Sequence, residues 1–297
     1  MKASIYMSNR YVSIIIGDSL KKINSIYRTV LPEGCMINGV ITNSERVVQY
    51  LKEYFTIKNI SLDDVSLVID STQIITKVLD LPLLKEKELL NVIKKELNEL
   101  TDVNSLVYDY LILRQDKKQV KYLVCGIEES IIESYIELFN GLDIEINRLN
   151  IALASVIKMI DQINLMKEKT AVVIAIDGDS IMSVLYENGD YIFSSHTRLY
   201  SQHGSAALAG DISRNIAGLQ QFLASEKSEY KISEVYLAGF IKEDFDICKV
   251  SIDIPSIELY DLDNKYYSLP SSISYEDEVM DNLNPKFGDF IFPLGNY

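Results

Sequence analysis

The chain has 297 residues, 47% of them hydrophobic and 24% charged, which is the composition of a globular protein with a substantial core. Its 29 basic residues against 43 acidic residues give a net charge of −14. This charge argues against broad binding to nucleic acid or to anionic lipid.

The cysteines and the absence of targeting signals bear on the compartment. Cys35, Cys125 and Cys248 are odd in number, widely spaced and without a CxxC motif, which indicates free thiols in a reducing compartment. The first residues run straight into a strand without a signal-like apolar core, and no stretch is apolar enough to span a bilayer. The sequence therefore predicts a cytoplasmic protein.

The first thirty residues predict a hairpin followed by a third strand. Ala3–Met7 and Tyr11–Ile16 flank the tight turn Ser8-Asn9-Arg10, and Ile23–Val30 comes next. Downstream, amphipathic helices alternate with strands, which indicates an α/β architecture.

The clearest helix is Leu84–Leu100, which carries an apolar stripe on one face and follows Pro82, a residue that blocks backward extension. The stripe consists of Leu89, Leu90, Ile93, Leu97 and Leu100. Helix Ser44–Phe55 is predicted with Ser44 as its cap and with Val47, Val48, Leu51 and Phe55 on its apolar face. The other predicted elements of this half are strands Val65–Ile69, Ile74–Leu79, Leu106–Leu113 and Val120–Ile127 and helices Glu129–Phe139 and Ile151–Met166.

The opening strand pattern returns after residue 170. Ala171–Ile176 and Ile181–Tyr186 flank Asp177-Gly178-Asp179, and Tyr191–Thr197 follows a second turn. Helix Ala206–Leu223, strand Val235–Ala238 and a loop-like, Ser-, Tyr- and acid-rich stretch from Lys265 to Met280 complete this half. Actin-like and sugar-kinase-like folds hold ATP phosphates with such a duplicated hairpin, so the pattern predicts an actin-like fold, a duplicated ribonuclease-H-like architecture with two lobes.

Both hairpin turns lack features of a phosphate-binding loop. Such a loop brings backbone N–H groups close to the phosphates, which favours glycine, and an acidic residue at its start holds Mg²⁺. The first turn has no glycine, and Tyr6 stands where the acid is expected. The second turn has one glycine and two carboxylates, either of which suits Mg²⁺. Asn, Asp and Gly are also ordinary turn residues, so a purely structural role fits both turns.

Four segments resemble the PilM family, the actin-like cytoplasmic assembly proteins of type IV pili. Leu31–Ile41 resembles that family's Leu-Pro-Glu-Gly segment, and Val68–Pro82 is similar to the strand that precedes its amphipathic helix. Val235–Phe240 resembles its adenosine motif, and Asn284-Pro285 leads into a segment like its C-terminal helix. The order of the segments matches across nearly the whole chain. The GspL cytoplasmic domain of type II secretion and FtsA are related to the same family.

The sequence departs from the PilM pattern at three nucleotide-binding elements. The first loop lacks the family's acid, glycine and lysine, the second reads Asp177-Gly178-Asp179, and the adenosine glycines shrink to Gly239 followed by Phe240. Desolvating a nucleotide without replacement hydrogen bonds leaves little net affinity. We therefore expect no cofactor. If ATP with Mg²⁺ does bind, the expected residues are Ser8, Asn9, Arg10, Asp177, Gly178, Asp179 and Gly239.

The resemblance implies a non-enzymatic scaffold recruited to the inner face of the cell membrane. It implies a PilN-like bitopic inner-membrane partner whose N-terminal cytoplasmic peptide lies between the first lobe and an inserted α/β subdomain, with a pilus assembly ATPase as a second candidate partner. No nucleic acid and no direct membrane insertion are expected. The predicted docking residues are Leu81, Leu84, Lys87, Leu89 and Ile93. The alternatives are an ATP-binding actin-like protein, a GspL-like secretion component and, less well supported, a sugar or acetate kinase.

The predicted domain bounds follow from the same pattern. The first lobe covers residues 1–166, with the inserted subdomain at about 82–147, and the second lobe covers 167–297. His196 and His203 are the only histidines, and neither stands at a metal-ligand spacing, so no zinc site is predicted. No Gly-x-Ser-x-Gly elbow supports acyl transfer.

Overall fold

The computed structural model describes residues 2–103, 105–252, 254–263, 266–270, 272–279 and 285–297. The strands in these ranges are β1 Lys2–Met7, β2 Tyr11–Ser19, β3 Lys22–Val30, β4 Met36–Ile37, β5 Val40–Ile41, β6 Asp64–Ile69, β7 Ile75–Pro82, β8 Leu106–Gln115, β9 Gln119–Glu128, β10 Ile146–Ile151, β11 Ala171–Asp177, β12 Ser180–Glu187, β13 Asp190–Arg198, β14 Glu234–Ala238, β15 Glu258–Asp261 and β16 Ser274–Asp277. The α-helices are α1 Ser44–Lys58, α2 Glu86–Asn98, α3 Glu129–Gly141, α4 Ala152–Gln162, α5 Ala206–Ser225, α6 Lys242–Ser251 and α7 Ile291–Leu294.

Two large sheets have the same internal order. The first sheet runs β10-β6-β1-β2-β3-β16, and the second runs β13-β12-β11-β14-β15. In each sheet the first strand of a hairpin, β1 or β11, pairs in parallel with the next strand, β6 or β14. β10 and β15 extend the two parallel arrays in the same way. The predicted duplication is confirmed, because the two hairpins are equivalent strands of separate sheets.

The core explains why these strands form. β1, the first seven residues of β2, and all of β11 are buried at nearly every position on both faces, as in strands covered by helices on two sides. In the second sheet one face packs against α5 through Leu208, Ile212, Ile216 and Leu219. This stripe recurs at helical spacing, which is why the sequence identifies α5 within two residues of its observed end.

A third sheet with its own helix is inserted between β6 and α3. Its strand order is β7-β9-β8, and both pairs are antiparallel. Leu89, Ile93 and Leu97 of α2 pack on Leu79, Val120, Tyr122 and Val124 of the sheet. The helix therefore belongs to the inserted subdomain and to neither large sheet, as predicted.

Contacts between Cα atoms divide the chain into two compact units. The first combines Met1–Ile14 with Arg28–Ile151, and the second combines Ile15–Tyr27 with Ala152–Tyr297. β2 and β3 therefore cross the division. The sequence placed the division near residue 166 and gave the inserted subdomain the range 82–147, whereas the third sheet begins at Ile75 and ends at Glu128.

Several local elements differ from the sequence prediction. The N-cap of α1 is Asn43, whose Oδ1 accepts the N–H of Arg46, rather than Ser44. Tyr54, and neither Val48 nor Phe55, is buried with Val47 and Leu51 on the apolar face of that helix. β16 lies inside the stretch predicted to be a loop, of which residues 265, 271 and 280 fall outside the described ranges. Pairing with β3 supplies the order that this polar segment lacks by itself.

The C-terminal segment is short and buried. A 3₁₀ turn at Gly288–Phe290 leads into α7, and Phe290, Ile291 and Leu294 are at most 1% exposed. Ser155 of α4 donates a hydrogen bond from Oγ to the carbonyl of Phe292. The predicted helix-like segment is thus present, although Asn284 at its start lies outside the described residues. No helix among the described residues is long and apolar enough to cross a membrane.

Candidate functional site

The first hairpin turn uses its own backbone donors internally. Ser8 is 3% exposed, and its Oγ accepts the N–H of Arg10 at 3.2 Å and of Tyr11 at 3.1 Å. The N–H of Ser8 donates to the carbonyl of Tyr11 at 3.0 Å. A phosphate-binding turn needs such N–H groups to face the ligand. In this turn three of them are already bound within the protein.

Asn9 ties the turn to a neighbouring hairpin. Its Oδ1 accepts the N–H of Gly39 at 2.9 Å, and the carbonyl of Gly39 accepts the hydroxyl of Tyr135 at the same distance. Gly39 has φ +75°, and a Cβ added there would lie 1.9 Å from the carbonyl oxygen of Asp70. Only glycine fits this position. The Leu31–Ile41 segment is therefore a structural connection between the first turn, the end of β6 and α3.

The second hairpin turn is a two-residue reversal. β11 ends at Asp177 and β12 begins at Ser180, whose Oγ donates to the carbonyl of Asp177 at 3.1 Å. Gly178 has φ +60°, the conformation that a type II′ turn requires at its first central residue. The glycine is therefore explained by the turn itself.

The two carboxylates of the second turn have different surroundings. Asp177 is 8% exposed, whereas Asp179 is partly exposed and pairs with the guanidinium of Arg198 at 3.1 Å. The carbonyl of Asp179 also accepts the N–H of Leu199 at 2.6 Å. A cation would have to compete with Arg198 for the Asp179 carboxylate. One of the two carboxylates that suit Mg²⁺ in the sequence is therefore already paired with a cationic side chain.

Gly239 and Phe240 follow β14, where the family carries its adenosine glycines. Gly239 has φ +75°, and an added Cβ would lie 3.2 Å from Cγ2 of Ile176. The ring of Phe240 is 1% exposed and belongs to the core cluster that includes Ile176, Leu237 and Cys248. In the sequence Phe240 replaces one of the adenosine glycines of the PilM family, and in the structure its ring points into the core rather than toward the place of a base.

The predicted docking residues separate into two groups. Leu89 and Ile93 are 3% and 0% exposed and fill the core between α2 and its sheet. The prediction that these two residues dock a partner is wrong, because a partner could reach them only if the subdomain unfolded. Leu81 and Leu84 are half-buried, and Lys87 is exposed.

The position of Leu81, Leu84 and Lys87 also differs from the prediction. The chain enters the subdomain from β6 at Ile75 and leaves it at Glu128, which leads directly into α3. Pro82 pairs with Gln119 at the opposite end of the same strands. The three residues therefore lie at the far end of the subdomain and not at its junction with the first lobe. An antiparallel pair of eight residues places those ends roughly 25 Å apart.

A buried carboxylate escaped the sequence analysis. The side chain of Asp244 in α6 is fully buried, and its Oδ2 lies 2.6 Å from Nδ1 of His203, while its Oδ1 accepts the N–H of Gly204 at 2.5 Å. These bonds fix the loop that precedes α5. His203 and Asp244 are 41 residues apart, so spacing gave no signal. Within the described ranges no three His, Cys, Asp or Glu side chains cluster as a metal site.

The sequence by itself has no match among known families. No protein-family model matches it, and no curated protein sequence matches it. Comparison of solved structures gives a different result. A chain of the PilM-PilN type IV pilus biogenesis complex superposes with a TM-score of 0.75 at 13% identity, covering 99% of this chain and 96% of that chain.

Two further structures have weaker similarity. A protein of unknown function with an actin-like ATPase fold from Bacteroides thetaiotaomicron has a TM-score of 0.54 at 14% identity, covering 87% of this chain and 90% of that chain. The cytoplasmic domain of EpsL, an inner-membrane component of the type II secretion system of Vibrio cholerae, has a TM-score of 0.51 at 10% identity, covering 99% and 92%. The fold is actin-like. The resemblance to PilM that the sequence indicated is confirmed at the level of the fold.

Proposed function

We propose that this chain is a non-enzymatic scaffold of a type IV pilus assembly machine, recruited to the inner face of the cell membrane by a PilN-like partner. The observation that carries the proposal is the TM-score of 0.75 with the chain of the PilM-PilN complex, with coverage of 99% and 96%. Two-way coverage means that the inserted subdomain and both large sheets have counterparts in one chain of a pilus complex. Fold alone does not assign a function, so the sites must be tested.

The nucleotide elements support the absence of ATP binding. Three N–H groups of the first turn bond within it, and Asp179 pairs with Arg198. Each of these contacts would have to break before its groups could bind a phosphate or a metal. Breaking several hydrogen bonds, each worth about 1 kcal/mol, removes most of the gain of binding.

Calorimetric titration with ATP and Mg²⁺ tests this part. We expect no dissociation constant tighter than about 1 mM, which corresponds to about −4 kcal/mol. Thermal melting with excess nucleotide should not shift, and no phosphate should be released on incubation. A rise of several degrees that Asp177→Ala abolishes would instead establish the alternative, an ATP-binding actin-like assembly protein.

The proposed docking site for the partner peptide lies at the junction end of the inserted subdomain. Leu100, just after α2, is 51% exposed, and Val107 at the start of β8 is 42% exposed. Both lie at the end where the Tyr108 hydroxyl bonds the Asn98 side chain and β9 leads into α3. An extended peptide binds such a surface by adding its backbone to a strand edge and placing alternate apolar side chains in pockets.

Titration with a synthetic peptide, the N-terminal cytoplasmic residues of a PilN-like protein from the same genome, tests the docking site. We expect Leu100→Asp and Val107→Asp to weaken binding by about tenfold or more, the loss of roughly one apolar anchor. Leu81→Asp and Lys87→Glu at the far end are the matched controls and should bind as the unchanged chain does. Circular dichroism confirms that each variant is folded.

A loss of binding in the far-end variants alone would support the docking residues that the sequence predicted. If only the far-end variants lose the peptide, docking occurs at Leu81 and Lys87. If every folded variant keeps full affinity, the subdomain does not dock the peptide. A GspL-like role in secretion is distinguished by which partner is captured from membranes of the host, a pilus protein or a type II secretion protein.

A further inference from the structure

The end of the inserted subdomain opposite the junction forms a surface that we call the distal tip, residues 81–90 and 112–121. Pro82 of β7 and Gln119 of β9 are paired neighbours, so the two segments adjoin. The turn at residues 116–118 and the connection from Pro82 to α2 close this end. Nearly all of residues 82–88 and 114–119 are exposed. The distal tip is therefore a projecting end of two turns.

Apolar side chains are exposed at the distal tip. Leu83 is 62% exposed, Ile112 is 48% exposed and Leu90 is 39% exposed. Leu81 and Leu84 of the same segment are half-buried. Leu81 and Leu84 also pack on the subdomain core, which holds this edge in place. Apolar groups gathered at one end of a small subdomain indicate a contact surface, whereas single exposed leucines need no explanation.

The distal tip is basic although the chain is acidic. Six basic residues, Lys85, Lys87, Arg114, Lys117, Lys118 and Lys121, stand against three acidic ones, Glu86, Glu88 and Asp116, and against exposed Asp80, the cross-strand neighbour of Lys121. With Asp80 included, the local excess of two positive charges contrasts with −14 for the whole chain. The net charge of the whole chain argues against binding to anionic lipid. At physiological salt, however, charges more than about 8 Å apart are largely screened, so a local excess of basic residues can attract lipid although distant residues are acidic.

Two of the acidic side chains, Asp116 and Glu88, accept hydrogen bonds from backbone N–H groups. Oδ1 of Asp116 accepts the N–H of Lys118 and of Gln119, both at 2.8 Å, and these bonds lower the pKa of that carboxyl. Glu88 accepts the N–H of Lys85 at the start of α2. The carboxylates thus stabilise the turn and the helix start, while their bonds leave the lysine side chains at the surface.

We propose that the distal tip binds an anionic lipid surface. Lysine and arginine next to a membrane gain from the negative surface potential, and neighbouring leucines enter the headgroup boundary while the lysine chains extend along it. An exposed end made of two turns can lie directly against a flat surface. This contact is independent of partner docking, since it involves the opposite end of the subdomain. It would add to that docking through a raised effective concentration at the membrane.

Vesicle cosedimentation tests the proposal with the full chain and no protein partner. Vesicles of phosphatidylcholine with about one third phosphatidylglycerol should bind several-fold more protein than phosphatidylcholine alone. The bound fraction should fall steeply between low salt and about 0.5 M salt, because screening removes the surface potential. Equal binding to neutral and anionic vesicles, or none to either, would overturn the proposal.

Matched variants locate the contact. Lys117→Glu with Lys118→Glu should lower the anionic-vesicle affinity by more than about tenfold, since each basic residue contributes roughly fivefold. The turn should survive, because Asp116 bonds backbone N–H groups and not the lysine side chains. Leu83→Ser should give a smaller loss that persists at high salt.

The control is another pair of adjacent, exposed lysines. Lys21→Glu with Lys22→Glu makes the same change in net charge in a different turn and should bind vesicles like the unchanged chain. An equal loss in this control would mean that net charge, and not the distal tip, governs adsorption, which contradicts the proposal. Binding of polyglutamate that depends on Lys117 and Lys118, without vesicle binding, would identify an acidic protein as the occupant and reject lipid.

Discussion

The two hairpin turns occupy equivalent places in their sheets, yet they are stabilised differently. The turn after β1 is held by the side chains of Ser8 and Asn9, the second of which bonds Gly39 in another hairpin. The turn after β11 is a two-residue reversal set by the backbone of Gly178, with Asp179 paired to Arg198. One turn depends on long-range contacts and the other on local conformation.

This difference shows that equivalent turns can be stabilised either by side chains and distant contacts or by a local backbone conformation. In the first turn the N–H donors are consumed by the protein itself. The second turn has only two residues between its strands, so it offers few backbone N–H groups. One of its two carboxylates, that of Asp179, is paired with Arg198. The comparison predicts that substitutions at the first turn have effects beyond the turn, while those at the second stay local.

The largest expected effect is at Gly39. Gly39→Ala should lower the free energy of unfolding by about 3 kcal/mol or more, because the methyl group would overlap the Asp70 carbonyl in a conformation that already disfavours alanine. Urea unfolding followed by circular dichroism measures it. Gly34→Ala is the matched control: φ is also +75°, but no other heavy atom lies within 4 Å of the added Cβ, so about 1 kcal/mol is expected. Equal losses of unfolding free energy at the two glycines would show that the backbone around Gly39 can shift away from Asp70 and Asn9 without loss of stability.

A smaller effect separates the two turn serines. Ser8→Ala removes the acceptor of two backbone N–H groups at a buried position and should cost about 1–3 kcal/mol in unfolding free energy. Ser180→Ala removes one donor to the Asp177 carbonyl and should cost about 1 kcal/mol or less. Chemical denaturation of both variants checks the order. A larger loss at Ser180 would reverse the comparison.

The smallest effect is expected at the exposed ion pair of the second turn. Asp179→Asn should change the unfolding free energy by no more than about 1 kcal/mol, since Arg198 is 63% exposed and surface pairs contribute little. Repeating the denaturation in high salt should remove most of that difference. A loss above about 2 kcal/mol that salt does not reduce would give this carboxylate a further structural role.

The sequence predicts an element well where its own pattern dictates the structure. The hairpin of β8 and β9 and the helix α5 follow from alternating and helical apolar spacing, and both are found within two residues or so of the expected bounds. β10 and β16 were not predicted. β10, with the sequence INRLNI, has no clear alternation and is extended by parallel pairing with β6, and β16 owes its order to β3.

The candidate site shows the same limit. Three of the five residues predicted for the stripe on α2 are buried, while Leu90 and Leu100 are exposed. A stripe reveals only which side chains share a face and not whether a sheet covers that face. Leu89 and Ile93 are covered by β7 and β9, and the strand direction carries Leu81 away from the junction. The Asn9–Gly39 and His203–Asp244 contacts join residues that are 30 and 41 positions apart, which no local pattern encodes.

The buried C-terminal segment has a consequence for the order of events during synthesis. The second unit combines Ile15–Tyr27 with Ala152–Tyr297, and the hydroxyl of Tyr297 donates to the carbonyl of Ile15 at 2.8 Å. The first unit contains nothing beyond Ile151, so its residues leave the ribosome while half of the chain is still untranslated. The hydrogen bond from Tyr297 to Ile15 can form only after Tyr297 has emerged. Residues 15–27 can pair within β2 and β3 of the first sheet from the start, and they gain their contacts with the rest of the second unit only when residues after Ile151 have been made.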